Sequence, residues 1–128
     1  MKAGRNKTID MSVEEGACYL ERCITITEST TIDKIIDKTI LGDTFYVLKN
    51  LPSNFVDLLI VDPPYNLNKD FHGQKFRKAT DDDYEEYTEL WVRTVFPSLK
   101  DNASIYVCCD WNSSSSVRRV LKKYFHIQ

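Results

Sequence analysis

The sequence predicts an α/β domain built on a mainly parallel sheet. Residues 57–61 (DLLIV) and 103–109 (ASIYVCC) lack the polar alternation of half-exposed strands, so they read as strands covered on both faces. Between and after them the apolar spacing becomes that of amphipathic helices, and strand–helix alternation implies right-handed crossovers. Asp43, Asp62 and Asp110 each follow a predicted strand, where parallel sheets hold their ligands.

Residues 1–35 carry the faintest pattern. Ile24-Thr25-Ile26-Thr27 alternates like a half-buried strand, and Ile32, Ile35 and Ile36 fit one helical turn. Thr39-Ile40-Leu41 reads as a short strand that stops at Gly42-Asp43. Asp43 is placed to cap a helix whose Val47, Leu48 and Leu51 share a face, and Pro52 stops it. The strand at 57–61 then runs into Asp62-Pro63-Pro64-Tyr65, followed by a polar loop over 66–79. Thr80 and Asp83 form a pair like a capping box, opening a helix with Tyr84, Tyr87, Trp91, Val95 and Leu99 on its core face. Pro97 kinks that helix or ends its regular hydrogen bonding. After the strand at 103–109, Ser113–Ser116 offers caps to a last helix. Its Val117, Val120, Leu121, Tyr124 and Phe125 fall at core spacing, with Arg118, Arg119, Lys122 and Lys123 on a solvated face. Phe125-His126-Ile127-Gln128 reads as the start of one more strand.

Composition narrows the classes. At 128 residues, 42% hydrophobic and 28% charged, the chain is an ordinary globular domain with a modest core. Its apolar runs are too short to span a bilayer. The N-terminal MKAGRNKTIDMSVEEG has basic residues but no apolar segment after them, so no secretory signal is read and a cytoplasmic chain is expected. A net charge of -2 argues against a global nucleic-acid-binding field, unless such a surface lies elsewhere. Cys18, Cys23, Cys108 and Cys109 show neither CxxC spacing nor a His partner at ligand distance, and no metal is expected. Cys108 and Cys109 read as buried, reduced thiols.

The chemistry concentrates at residues 62–65. A residue before proline is pushed to an extended backbone, and the rings of Pro63 and Pro64 restrict the next two torsions. The corner therefore stiffly presents one carboxylate, outward carbonyls and a tyrosine ring. Two acceptors can take both hydrogens of an exocyclic amine on a flat base, while the ring stacks on the base. Accepting both hydrogens favours a pyramidal nitrogen whose lone pair can attack an electrophilic methyl group, by positioning and electrostatics alone. A plain Pro-Pro turn would also follow a buried strand. By average residue usage, however, this tetrad arises by chance in roughly one such chain in two thousand.

DPPY after an apolar strand resembles the catalytic motif of the amino-directed DNA methyltransferases that use S-adenosylmethionine. The wider TILGDTFYVLKNLPSNFVDLLIVDPPYNL is similar to the permuted, or beta, class of that family, and ASIYVCCDWN fits the strand that follows. The resemblance covers about residues 36–128, taken as a partial catalytic domain, with residues 1–35 as an extension that matches nothing. It implies a Rossmann-like fold with S-adenosylmethionine as cofactor and double-stranded DNA as partner. Asp62 and Pro63 would hold the adenine amine, Pro64 would keep the corner rigid, and Tyr65 would stack on the flipped base. The GD segment would border the cofactor's adenine through Asp43, Thr44 and Phe45. Taken alone, Asp43 also reads as a plain helix cap. Asp rather than Ser at the first motif position favours adenine over cytosine.

The family's Phe-x-Gly-x-Gly loop is absent, since Gly4, Gly16, Gly42 and Gly73 form no glycine-rich turn. The chain therefore resembles the front portion of a longer enzyme, lacking the cofactor loop and the target-recognition region. The resemblance places the missing strands between 38–41 and 57–61, which would leave a gap and open edges and invite a complementing chain. On its own the chain is expected to be inactive. Cytosine, RNA or a protein amide remain alternative acceptors, although the RNA and glutamine enzymes more usually carry Asn at the position of Asp62. A non-catalytic half supporting a partner is the reading from another class. Lys69, Lys75, Arg77 and Lys78, interleaved with Phe71 and Phe76, suit either a lid on the corner or a solvated loop.

Overall fold

The computed structural model describes residues 11–71, 74–76 and 78–128. In chain order it holds α1 (Val13–Leu20), α2 (Ile32–Ile35), α3 (Thr44–Lys49), β1 (Val56–Val61), β2 (Lys69–Phe71), β3 (Gln74–Phe76), α4 (Asp81–Val95), a 3-10 turn (Phe96–Ser98), β4 (Leu99–Val107) and α5 (Ser114–Leu121). Residues 1–10 of the predicted extension, Arg77, and the side chains of Lys69, Phe71, Lys75 and Phe76 lie outside the described part.

β1 and β4 pair in parallel, Leu58 opposite Ser104 and Val61 opposite Val107, with α4 in the crossover. The Cys108 N–H continues the ladder by donating to the Val61 carbonyl at 2.9 Å. Helices α4 and α5 cover one face. Tyr84, Trp91, Val92, Val95, Val117, Val120 and Leu121 form the core there, packed against Leu59, Val61, Ile105 and Val107. Val92 and Val120 are wholly enclosed. The other face is open, with Leu58, Ile60 and Tyr106 exposed by 52%, 68% and 66%. This corrects the expectation of burial on both faces. The strands are apolar on both sides, but among the described residues only one side has a cover.

Several boundaries move for local reasons. Pro97 converts the end of α4 into a 3-10 turn, so Leu99, expected on the helix face, instead opens β4. β4 stops at Val107, and Cys108 and Cys109 are exposed rather than buried. The polar loop 66–79 contains the antiparallel hairpin β2–β3. Phe125–Gln128 forms no strand: the Phe125 ring lies 5.7 Å from that of Phe96, and Ile127 packs against the core. Arg119 pairs with Glu85 and Lys123 with Glu89, so the predicted solvated face of α5 partly docks on α4. Hydrogen bonds from these partners hold both carboxyls below their ordinary range.

The N-terminal region is tied on by few bonds. The predicted strands at 24–27 and 39–41 reduce to one parallel bridge, Ile24 to Ile40. The Tyr46 hydroxyl donates to the Thr27 carbonyl at 2.7 Å, and the Thr30 N–H to that of Asn50 at 3.0 Å. Helix α1 has a capping box from Ser12 and Glu15 but no buried residue. No described helix is long and apolar enough to cross a membrane.

Since Val120 has no exposed surface, Val120→Ala removes methyl groups from a filled site. Urea unfolding of this variant is expected to show a loss of about 2 kcal/mol at unchanged m-value.

Candidate active site

Three of the predicted strand ends, those before Asp43, Asp62 and Asp110, deliver a carboxylate, and the three carboxylates have different fates. The Asp43 Oδ1 accepts the Tyr46 N–H at 2.9 Å, capping α3 as predicted. Asp110 accepts the N–H groups of Asn112 at 3.0 Å and Ser113 at 3.3 Å, and also the Ser113 hydroxyl. These bonds, the hydroxyl's first, keep its carboxyl below the usual range. Asp62 is exposed at the end of β1, and its described partner is the phenol of Tyr65. Asp43 and Asp110 thus serve the backbone, whereas Asp62 serves the corner.

The corner is held by its carbonyls. That of Val61 takes the Cys108 N–H, that of Pro64 accepts the Tyr84 hydroxyl at 3.2 Å, and that of Tyr65 accepts the Leu67 N–H at 2.7 Å. Among the described residues no donor engages the Pro63 carbonyl. Pro63 is buried, Pro64 exposed and Tyr65 half-buried. Beyond them, buried Asn66 grips Ala79 at both backbone groups, accepting its N–H at 2.7 Å and donating to its carbonyl at 3.1 Å. The Asn68 side chain accepts the Lys78 N–H at 2.8 Å. Together they close the base of the hairpin, so the corner and the start of α4 are fixed to each other.

Asp43 and Thr44 are exposed at the start of α3, and Phe45 is half-buried. The Phe45 ring meets Tyr87 edge-on at 6.3 Å, and Tyr87 stacks with Tyr84 at 6.2 Å. The GD segment and the DPPY corner therefore converge on α4 through Phe45, Tyr87 and Tyr84. Sequence reasoning took Tyr84 only as a core residue, and did not single out Asn66. The clue for Tyr84 was that a buried tyrosine hydroxyl needs a partner. For Asn66 it was an amide directly after the motif. Trp111, 91% exposed, borders the Asp110 turn without packing.

A family model described as DNA methylase matches residues 56–128, more than half of the 128-residue chain. The chain belongs to this family. It is 51% identical over 92 residues to the DNA adenine methyltransferase YhdJ of Escherichia coli (strain K12), covering 71% of this chain and 31% of that protein. It is 32% identical over 86 residues to the Type II methyltransferase M.HpaI of Haemophilus parainfluenzae, covering 67% of this chain and 27% of that protein. With the Type II methyltransferase M.HinfI of Haemophilus influenzae the identity is 27% over 89 residues, covering 59% and 25%. The chain thus spans about a quarter to a third of the length of these relatives.

The matched region contains the whole corner with its supports from Tyr84 on α4, the Cys108 amide and the Asn66–Ala79 clamp. Its most distinctive electrostatic feature is the Asp62–Tyr65 pair. Hydrogen bonding to the carboxylate, reinforced by burial and neighbouring negative charge, holds the Tyr65 phenol above its ordinary range. The raised value favours the neutral phenol. Any stabilisation from the pair is therefore present at neutral pH and lost as pH rises through the folded-state value. Ultraviolet titration is expected to find Tyr65 among several late-ionising tyrosines, beside Tyr84, Tyr87 and Tyr124, and Asp62→Asn is expected to move one of these late transitions to lower pH.

Proposed function

We propose that this chain is the amine-gripping part of a DNA adenine methyltransferase of the permuted beta class, on a Rossmann-like S-adenosylmethionine-dependent fold. The carrying observation is that, among the described residues, Asp62 is not spent on backbone amides and stands on a proline-stiffened corner beside Tyr65. Asp62 and the Pro63 carbonyl, which no described donor engages, accept hydrogen bonds from the two hydrogens of the exocyclic amine of a flipped adenine. Pro64 holds the turn, and the Tyr65 ring stacks on the base. Removing amine hydrogen-bonding freedom in this way presents the nitrogen lone pair toward the methyl donor. The 51% identity to a protein named as an adenine methyltransferase supports adenine over cytosine.

The adenine end of S-adenosylmethionine fits the GD segment. Thr44 offers an exposed hydroxyl and Phe45 a ring, beside an Asp43 carboxylate already oriented by its cap. When bound, the cofactor supplies an electrophilic methyl group. For its methionine end the chain has no glycine-rich turn, since Gly4, Gly16, Gly42 and Gly73 are separated in sequence. We accordingly assign residues 36–128 as a partial catalytic domain and residues 1–35 as an extension. The cofactor loop and target-recognition region would come from a complementing segment or chain. The uncovered Leu58, Ile60 and Tyr106 are consistent with that requirement. We place the protein in the cytoplasm, acting on double-stranded DNA, as in restriction–modification systems.

The test uses protein expressed from the complete reading frame, with labelled methyl transfer to duplex DNA and nucleoside analysis of the product. Methylated adenine is expected, and Asp62→Ala should lower its rate by about 100-fold or more with folding intact. Undiminished methylation by Asp62→Ala would overturn the assignment. Turnover by residues 1–128 alone would overturn the need for a complementing segment.

A further inference from the structure

We propose that Tyr84 is a positioning residue for the transfer step: by occupying the Pro64 carbonyl it sets the direction of the Pro63 carbonyl that receives the amine. The inference rests on the adenine-methylation reading and adds a residue to it. Tyr84 is 5% exposed, in the first turns of α4, and its hydroxyl donates to the Pro64 carbonyl at 3.2 Å across 20 positions of sequence. Hydrophobic packing alone does not require that hydroxyl, because a phenylalanine ring would occupy the same space between Tyr87 and the corner. Burial pushes the phenol above its ordinary range, so the group remains a donor near neutral pH, and the Ser113 side chain lies within hydrogen-bonding reach. The Ser113 hydroxyl itself donates to Asp110, so the turn built on Asp110 lies beside Tyr84. Through its bond to Pro64, Tyr84 ties α4 to the corner after β1.

The consequence for the corner is selective. The Val61, Pro64 and Tyr65 carbonyls are each taken by a donor, and the Pro63 carbonyl is not, among the described residues. If Pro64 lost its donor, the peptide after it could rotate, and Pro63 would share that freedom within the limits of the two rings. A misdirected acceptor harms the step in which the amine becomes pyramidal more than it harms the binding of DNA or cofactor.

Tyr84→Phe tests this on two levels. In this chain, amide exchange at Leu67, whose N–H bonds the Tyr65 carbonyl, is expected to accelerate about tenfold, the order set by one neutral hydrogen bond. Unchanged exchange would overturn the proposal. In protein from the complete reading frame, the single-turnover methylation rate is expected to fall about tenfold with KM for DNA and cofactor unchanged. A rise in KM with the rate intact would overturn it, as would no effect on either. Thr88→Val is the control, because Thr88 donates to the Tyr84 carbonyl at 2.7 Å inside the same helix without touching the corner. Loss of stability with the rate retained is expected for Thr88→Val, and slowing equal to that of Tyr84→Phe would reduce Tyr84 to a structural role. Asp62→Ala separates the two readings. If it methylates normally the parent reading falls, whereas an inactive Asp62→Ala beside an unimpaired Tyr84→Phe overturns this inference alone.

Discussion

The parallel pairing of β1 with β4 is the constraint on which the rest of the structure depends. Parallel strands end on the same side, so the pairing of Val61 with Val107 brings the DPPY corner and the Asp110 turn to one edge. A parallel pair cannot be closed by a tight turn, and α4 supplies the crossover. That helix must pack on the sheet to bury Trp91, Val92 and Val95, and the same packing places Tyr84 under the corner. Core and candidate site are therefore products of one geometric requirement.

Stiffness in the corner comes from several modest sources acting on the same few residues. The prolines restrict torsions before folding begins, which lowers the conformational entropy lost on ordering the loop. Tyr84, Asn66 and the Cys108 amide then hold the backbone at separate points. Rigid acceptors suit a reaction that needs an amine held in one orientation, because little reorganisation is left for the reacting complex. The same logic explains why the hairpin β2–β3 is clamped at its base by Asn66 and Asn68: a polar excursion that begins directly after the motif cannot pull on it.

Membership in the DNA methylase family and the open sheet face bear on each other. The family match covers β1, the corner, α4, β4 and α5, while the relatives are about three to four times longer than the stretch each shares with this chain. Leu58, Ile60 and Tyr106 form the uncovered side of the sheet within that match. Parallel sheets are ordinarily covered on both sides, since their strands are apolar throughout. The apolar character of that face belongs to the strand sequence itself, independent of what covers it.

Much of this protein was legible from residue order. Short-range rules suffice for Thr80 capping α4, Asp43 capping α3, Pro97 breaking a helix and Val117, Val120 and Leu121 sharing a face, because each involves neighbours within a turn or two. The proline corner with its carboxylate and ring was visible for the same reason. Other features were decided across long sequence separations. That the second sheet face stands open, that Cys108 and Cys109 are exposed, and that Arg119 and Lys123 meet Glu85 and Glu89 depend on how α4 and α5 settle on the strands. So does the bond from Tyr84 to Pro64. Local pattern specifies which face of an element is apolar; only packing determines which apolar face is covered and which buried hydroxyl finds which carbonyl.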